Sequence, residues 1–235
     1  MSEVTIEESD EERSIVTRDF RLRFRWAEDR WVHAIDIGPP PWQVFATALT
    51  EPDSDGSSPR VAPTFQEIHF QEQGDAVVAL AVGQVGAHHF SASFRVSHGT
   101  QDASKTVGKI RVSPTWQSRI AIDIADRRPN AREEPELVYR LNSPAIRTLR
   151  GEARDYQSPE RFVRDWRGHL VWEVNGDTSC DASLCADEEP PKTRVAIVEH
   201  DASRWLVKIG SESAPNEKTA RLRYLWDHRC DVWLD

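Results

Sequence analysis

The sequence predicts an all-β protein, an antiparallel β-sandwich or a closed β-barrel of roughly twelve strands with one or two short helices. Three observations carry this expectation. Arg21–Trp26 reads RLRFRW and Arg221–Trp226 reads RLRYLW, and in both an arginine alternates with Leu, an aromatic residue and Trp. Successive side chains on a strand point to opposite faces, so Leu22, Phe24 and Trp26 share one side while Arg21, Arg23 and Arg25 share the other. Between these ends, short apolar runs are separated by turns rich in Gly, Pro, Asp and Ser. The third observation is nine tryptophans, each of which must be buried, placed at an interface or set against a ligand.

In chain order, residues 1–14 are acidic with few apolar anchors and are expected to be a disordered tail. A single all-β domain is expected over residues 15–235; the alternative is two β units divided at the charged stretch 125–136. The first strand, Arg18–Trp26, reaches a polar turn at Ala27–Arg30 and returns through Trp31–Ile37 as a hairpin. Gly38 and Pro39 to Pro41 stop it, because proline lacks the donor that a ladder needs. Trp42–Leu49 is the next strand, followed by the polar loop Thr50–Pro63. Phe65–Glu72, Ala76–Val82 and Ala87–Val96 read as a meander. Its middle strand is apolar on both faces, whereas in the last Phe90, Ala92, Phe94 and Val96 alternate with Ser91, Ser93 and Arg95.

Further strands are expected at Val107–Val112, Trp116–Ile124 and Leu137–Leu141. Ser158–Trp166 is the best helix candidate, with Ser158 as cap and Pro159 in the first turn. Gly168–Val174 resumes strand character, and Arg194–Glu199, Arg204–Ile209 and Thr219–Trp226 complete the set, with Cys230–Leu234 as an extension. The RLR echo does not extend beyond its own strand in either direction, which favours ordinary strand patterning over an internal duplication.

Composition narrows the function classes. A formal charge of −9, from 39 acidic and 30 basic residues spread along the chain, gives no general attraction to nucleic acid or anionic lipid. The start lacks the basic flank and apolar run of a signal peptide, and no apolar segment is long enough to span a bilayer, so a soluble cytoplasmic protein is expected. Three cysteines, Cys180, Cys185 and Cys230, form an odd set. The C-x4-C spacing of the first two is wider than the usual zinc knuckle, so buried or tolerated cysteines are preferred over a metal or redox pair, and a disulfide is left open. No cofactor is predicted: Gly-rich phosphate loops and a G-x-S-x-G elbow are both missing from the sequence.

Glu67, His69 and His88 form the sharpest catalytic or metal constellation. A three-residue turn after Glu72, with Val82 opposite Ala87, would bring them onto one face of the meander, where two imidazoles and a carboxylate suit a divalent metal or acid/base chemistry. A one-residue slip would separate them, leaving a solvated Glu67 and His69 and a rim His88. Asp53–Gly56 and the loop from Asp177 to Glu189 are oxygen-rich but lack a full calcium pattern, and are read as solvated turns. The arginine faces are read as ladders neutralised by cross-strand acids. Trp42, after three prolines, and Trp116 are candidate ligand-binding aromatics; for Trp42 packing against the sheet rim is the preferred reading.

The leading expectation is a ligand- or partner-binding module with a Trp-lined surface, taking a small ligand or a protein partner rather than nucleic acid or membrane. The alternatives are a hydrolase or metal-assisted enzyme using the His/Glu cluster, and an oligomeric assembly subunit. Lack of a catalytic motif makes the enzyme the less favoured of the first two.

Overall fold

A computed structural model describes residues 4–38, 40–51, 59–101, 106–107, 110–111, 115–128, 133–142, 146–151, 154–156, 163–166, 169–174, 177–186, 193–201, 204–211 and 218–231. Two large antiparallel sheets stack as an open sandwich, and neither closes into a barrel. The first sheet orders β1 (Thr5–Glu8), β2 (Glu12–Val16), β3 (Phe20–Ala27), β4 (Arg30–Ile37), β5 (Gln43–Ala48), β13 (Glu134–Asn142), β20 (Arg204–Ser211), β19 (Thr193–Asp201) and β16 (Val163–Trp166). A two-residue strand, β6 (Arg60–Val61), joins β13 in parallel. The second sheet orders β15 (Arg154–Tyr156), β14 (Ile146–Gly151), β17 (His169–Val174), β18 (Asp177–Ala186), β21 (Thr219–Asp231), β12 (Thr115–Arg127), β9 (His88–Gln101), β8 (Ala76–Val85) and β7 (Glu67–Gln73). A separate ribbon pairs β10 (Thr106–Val107) with β11 (Ile110–Arg111).

Among the described residues 21 strand segments are present, more than the roughly twelve expected, because several expected loops and strand ends pair. The described residues contain no helix, and so none long and apolar enough to cross a membrane. Val163–Trp166, the end of the expected helix, is a strand paired with β19; the rest of that stretch lies outside the described residues. β12 runs to Arg127 and β13 starts at Glu134, and each sheet takes strands from both sides of residues 125–136.

The two Trp-terminated motifs lie in different sheets, in β3 and β21, with their apolar faces in one core. Leu22, Phe24, Leu222, Tyr224 and Trp226 are all fully buried there. The stretch expected as a tail carries strands. Thr5–Glu8 and Glu12–Val16 form a hairpin in register on β3, with Val4 and Ile15 in the core and Ile6 packed against it. Its turn is tied by Ser9, whose amide donates to the Glu12 carbonyl at 2.8 Å while its Oγ accepts from the Glu12 amide at 3.2 Å. The apolar residues are few, but they alternate with charged ones and so fall on one face.

In the meander both turns hold two residues. Gln73 pairs with Ala76 around Gly74, and Val85 pairs with His88 around Gly86. Gly74 at φ 65° and Gly86 at φ 56° supply the left-handed backbone that tight hairpins need. Gly83 serves a close approach instead. A Cβ there would run into the Thr64 carbonyl and come within 2.7 Å of the Phe65 Cα, both rigid backbone. Gly83→Ala is expected to cost about 2 kcal/mol, the overpacking range, read as a lower urea midpoint. An unchanged midpoint would show that the 64–66 segment does not lie on β8 as described.

Candidate functional site

The meander register separates the expected catalytic cluster. Glu67 pairs with Val82 and His69 with Leu80, an outer row whose apolar members are 45% and 42% exposed. His88 lies on the same face as Phe90 and Phe94, which are buried in the core. A two-residue turn at Gly74 in place of the assumed three-residue turn shifts the β7–β8 pairing by one position, and with a side-chain period of two that shift sends Glu67 and His69 to the opposite face from His88. No group of three or more His, Cys, Asp or Glu side chains close enough to hold a metal occurs among the described residues.

His88 has other partners. Its Nδ1 meets Asp126 Oδ2 at 2.9 Å, and its Nε2 faces Glu133 Oε2 at 3.3 Å, while the ring stacks on Phe90 at 5.8 Å between centroids. The imidazole is 3% exposed, and with a carboxylate at each nitrogen it is a structural tie between β9, β12 and the segment leading into β13. Ser118 and His98 form a Ser–His pair, at 2.7 Å, but the serine is buried and its hydroxyl is also shared with Thr17 at 2.9 Å across the two sheets. Such a hydroxyl lacks the access that a nucleophile requires.

A third polar chain sits at the centre of the core. His33 Nε2 and the Tyr139 hydroxyl share a hydrogen bond of 2.6 Å, and Tyr139 and Tyr224 share another of 3.0 Å. Burial lowers His33 to about 3, keeping it neutral, and raises both phenols above their ordinary value. The sequence shows each residue, but the chain joins β4 and β13 of one sheet to β21 of the other, a juxtaposition that strand patterning does not encode.

The arginine ladders are neutralised by acids, as their pattern predicts. Asp36, fully buried, accepts from Arg21 Nε at 2.8 Å and Arg23 Nη2 at 3.2 Å, and Glu12 accepts from Arg23 Nη1 at 3.2 Å. On the other sheet, Asp123 takes Arg221 and Arg223, each at 3.1 Å. Arg25 is the exception. Its register partner is Glu12, yet that carboxylate turns to Arg23 and Arg21, and Arg25 makes no ion pair among the described residues.

Arg25 instead lines a cleft of about 540 Å³ with Ser9, Asp10, Glu11, Arg13, Trp26 and Trp31. The two indoles are direct cross-strand partners at the end of the β3–β4 hairpin, 5.4 Å apart between centroids and 73° from parallel. Trp31 is half-buried. Its amide donates to the Phe65 carbonyl at 2.8 Å, so the close approach at Gly83 helps to seat it, and the Arg13 guanidinium lies 5.3 Å over its ring. Trp26 is 43% exposed. Alternation assigns it to the core side with Leu22 and Phe24, but at the strand end the core has run out and the indole opens onto the cleft. The opposite wall is the β1–β2 turn, from the segment expected to be disordered.

The other expected aromatics contribute less. Trp42 packs against Gly38, where an added Cβ would lie 2.9 Å from its ring, and beneath Arg21, whose guanidinium is 5.5 Å from the ring centre. It is a covered rim residue. Trp116 lies in β12 opposite Cys230 and Thr100, and its side chain is outside the described residues. Cys180 and Cys185 lie in β18, with Cys180 in register opposite Cys230. Asp53–Gly56 lies outside the described residues, and Asp177–Ala186 is strand rather than loop. No protein-family model matches the chain, and no curated protein matches it.

Proposed function

We propose that this protein is a non-catalytic binding module whose site is the cleft between the β1–β2 turn and the end of the β3–β4 hairpin. The observation that carries this reading is an exposed indole set against a second indole, in a cleft also lined by an arginine that makes no ion pair among the described residues. Trp is enriched where proteins meet partners, and a concave site mixing aromatic faces with a few polar groups is the usual form of a small-ligand site. A cleft of about 540 Å³ falls within the size range of such sites. The enzyme alternative has no comparable support, since His88 and Ser118 are both buried and tied.

The test is retardation of a defined mixture of saccharides, nucleotides and tripeptides on a column of immobilised protein. The wild-type chain is expected to retard at least one class. Trp26→Ala is expected to retard none while keeping its Tm within about 2 °C, because the side chain it loses is largely outside the core. Equal retardation by both proteins would place binding elsewhere.

A further inference from the structure

The lining of the cleft narrows its occupant, and we propose, building on the reading of this cleft as a binding site, that it takes a single uncharged sugar ring. Three features converge. The first is charge: two arginines, Arg13 and Arg25, and two acids, Asp10 and Glu11, line the cleft, so its formal charges balance although the chain carries −9. A phosphate or carboxylate gains from the guanidiniums but meets two carboxylates in the same space. A polyol gains from both, because hydroxyls donate to carboxylates and accept from guanidinium N–H groups.

The second feature is the backbone. The Trp26 amide donates to Glu11 at 3.4 Å and the Trp31 amide to Phe65 at 2.8 Å, so the main-chain donors that would hold an extended peptide in a ladder are already used at both indoles. Recognition falls to side chains and ring faces.

The third is the number of open ring faces. Arg13 covers Trp31, and of the four tryptophans whose side chains are described, Trp26, Trp31, Trp42 and Trp226, Trp26 alone is exposed. The apolar C–H face of a sugar fits the electron-rich face of an indole. At 73° to each other the two rings form a corner, whereas a platform for successive sugars would need them coplanar. The corner therefore receives one ring, either a free monosaccharide or the terminal residue of a glycan.

Isothermal titration of the full chain with methyl glucoside, methyl galactoside, their trisaccharides, the corresponding uronates, AMP and a tripeptide tests this. Neutral glycosides are expected to bind most tightly, Trp26→Ala to weaken them at least tenfold, and Arg25→Ala to weaken them severalfold. Trisaccharides that match the monosaccharide within threefold support the one-ring corner, with equal binding assigning a free sugar and a modest gain a glycan terminus. A tenfold gain with chain length overturns it. Tighter, Trp26-dependent binding of a uronate, AMP or the tripeptide overturns the sugar assignment and leaves the binding site standing. No Trp26-dependent binding by any probe overturns both.

Discussion

Trp226→Ala is expected to cost about 3–5 kcal/mol of folding stability, the range for removing a large aromatic side chain from a packed core. Trp226 is fully buried on β21 and meets the other sheet edge-on, at 5.7 Å from Phe45 and 5.3 Å from Tyr139. It therefore joins the two layers rather than lining one. Leucine or phenylalanine would fill part of the volume, so Trp226→Phe is expected to recover a substantial share of the loss. Urea unfolding reads the effect as a lower midpoint at constant slope. A cost below about 1 kcal/mol would mean that the layers do not meet at this residue.

Acid sensitivity traceable to His33 is the second large effect. In the folded chain, burial holds the imidazole at about 3, against 6.5 when unfolded. Between those values the unfolded chain binds a proton that the folded chain does not, so stability rises with pH there and falls as the pH drops from 6.5 toward 3. Above 6.5 both states are neutral and the group is silent. The surroundings offer no countercharge: His33 packs between Phe24 and Phe94, at 6.1 and 5.0 Å between centroids, and meets the Tyr139 hydroxyl, itself bonded to Tyr224. The slope due to this one group approaches about 1.4 kcal/mol per pH unit. His33→Gln keeps a polar group toward Tyr139 and removes the titration. It is expected to be less stable than the wild type at pH 7 and to lose less on acidification to pH 4.5. Parallel pH profiles for the two proteins would contradict the assignment.

Much of the fold is legible in the alternation of single strands. The pattern assigns Leu22 and Phe24, then Phe90, Ala92, Phe94 and Val96, then Leu222, Tyr224 and Trp226 to a buried face, and the structure buries each of these. Pairing is less legible. A two-residue turn and a three-residue turn look alike around Gly74, yet they put His69 on opposite faces of the sheet. Contacts between layers are not legible at all, because His33, Tyr139 and Tyr224 belong to strands far apart in the chain. The cleft was obscured for two local reasons. Its outer wall is a hairpin whose few apolar residues, Val4, Ile6, Ile15 and Val16, are outnumbered by acids. Its key aromatic, Trp26, obeys the alternation of β3 but sits where the opposite layer ends. The ladder arithmetic around Arg25 was within reach: with Glu12 and Asp36 shared among Arg21 and Arg23, one guanidinium is left over.

The central claim is that a ligand engages the corner formed by Trp26 and Trp31, and the indole N–H region of a nitrogen-15 NMR spectrum reports on each tryptophan separately. On titration with the glycosides, uronates, AMP and tripeptide in turn, at least one probe is expected to shift the Trp26 and Trp31 signals together while leaving buried Trp226 in place. Shifts confined to Trp42 or to other indoles, or no shift with any probe, would contradict it.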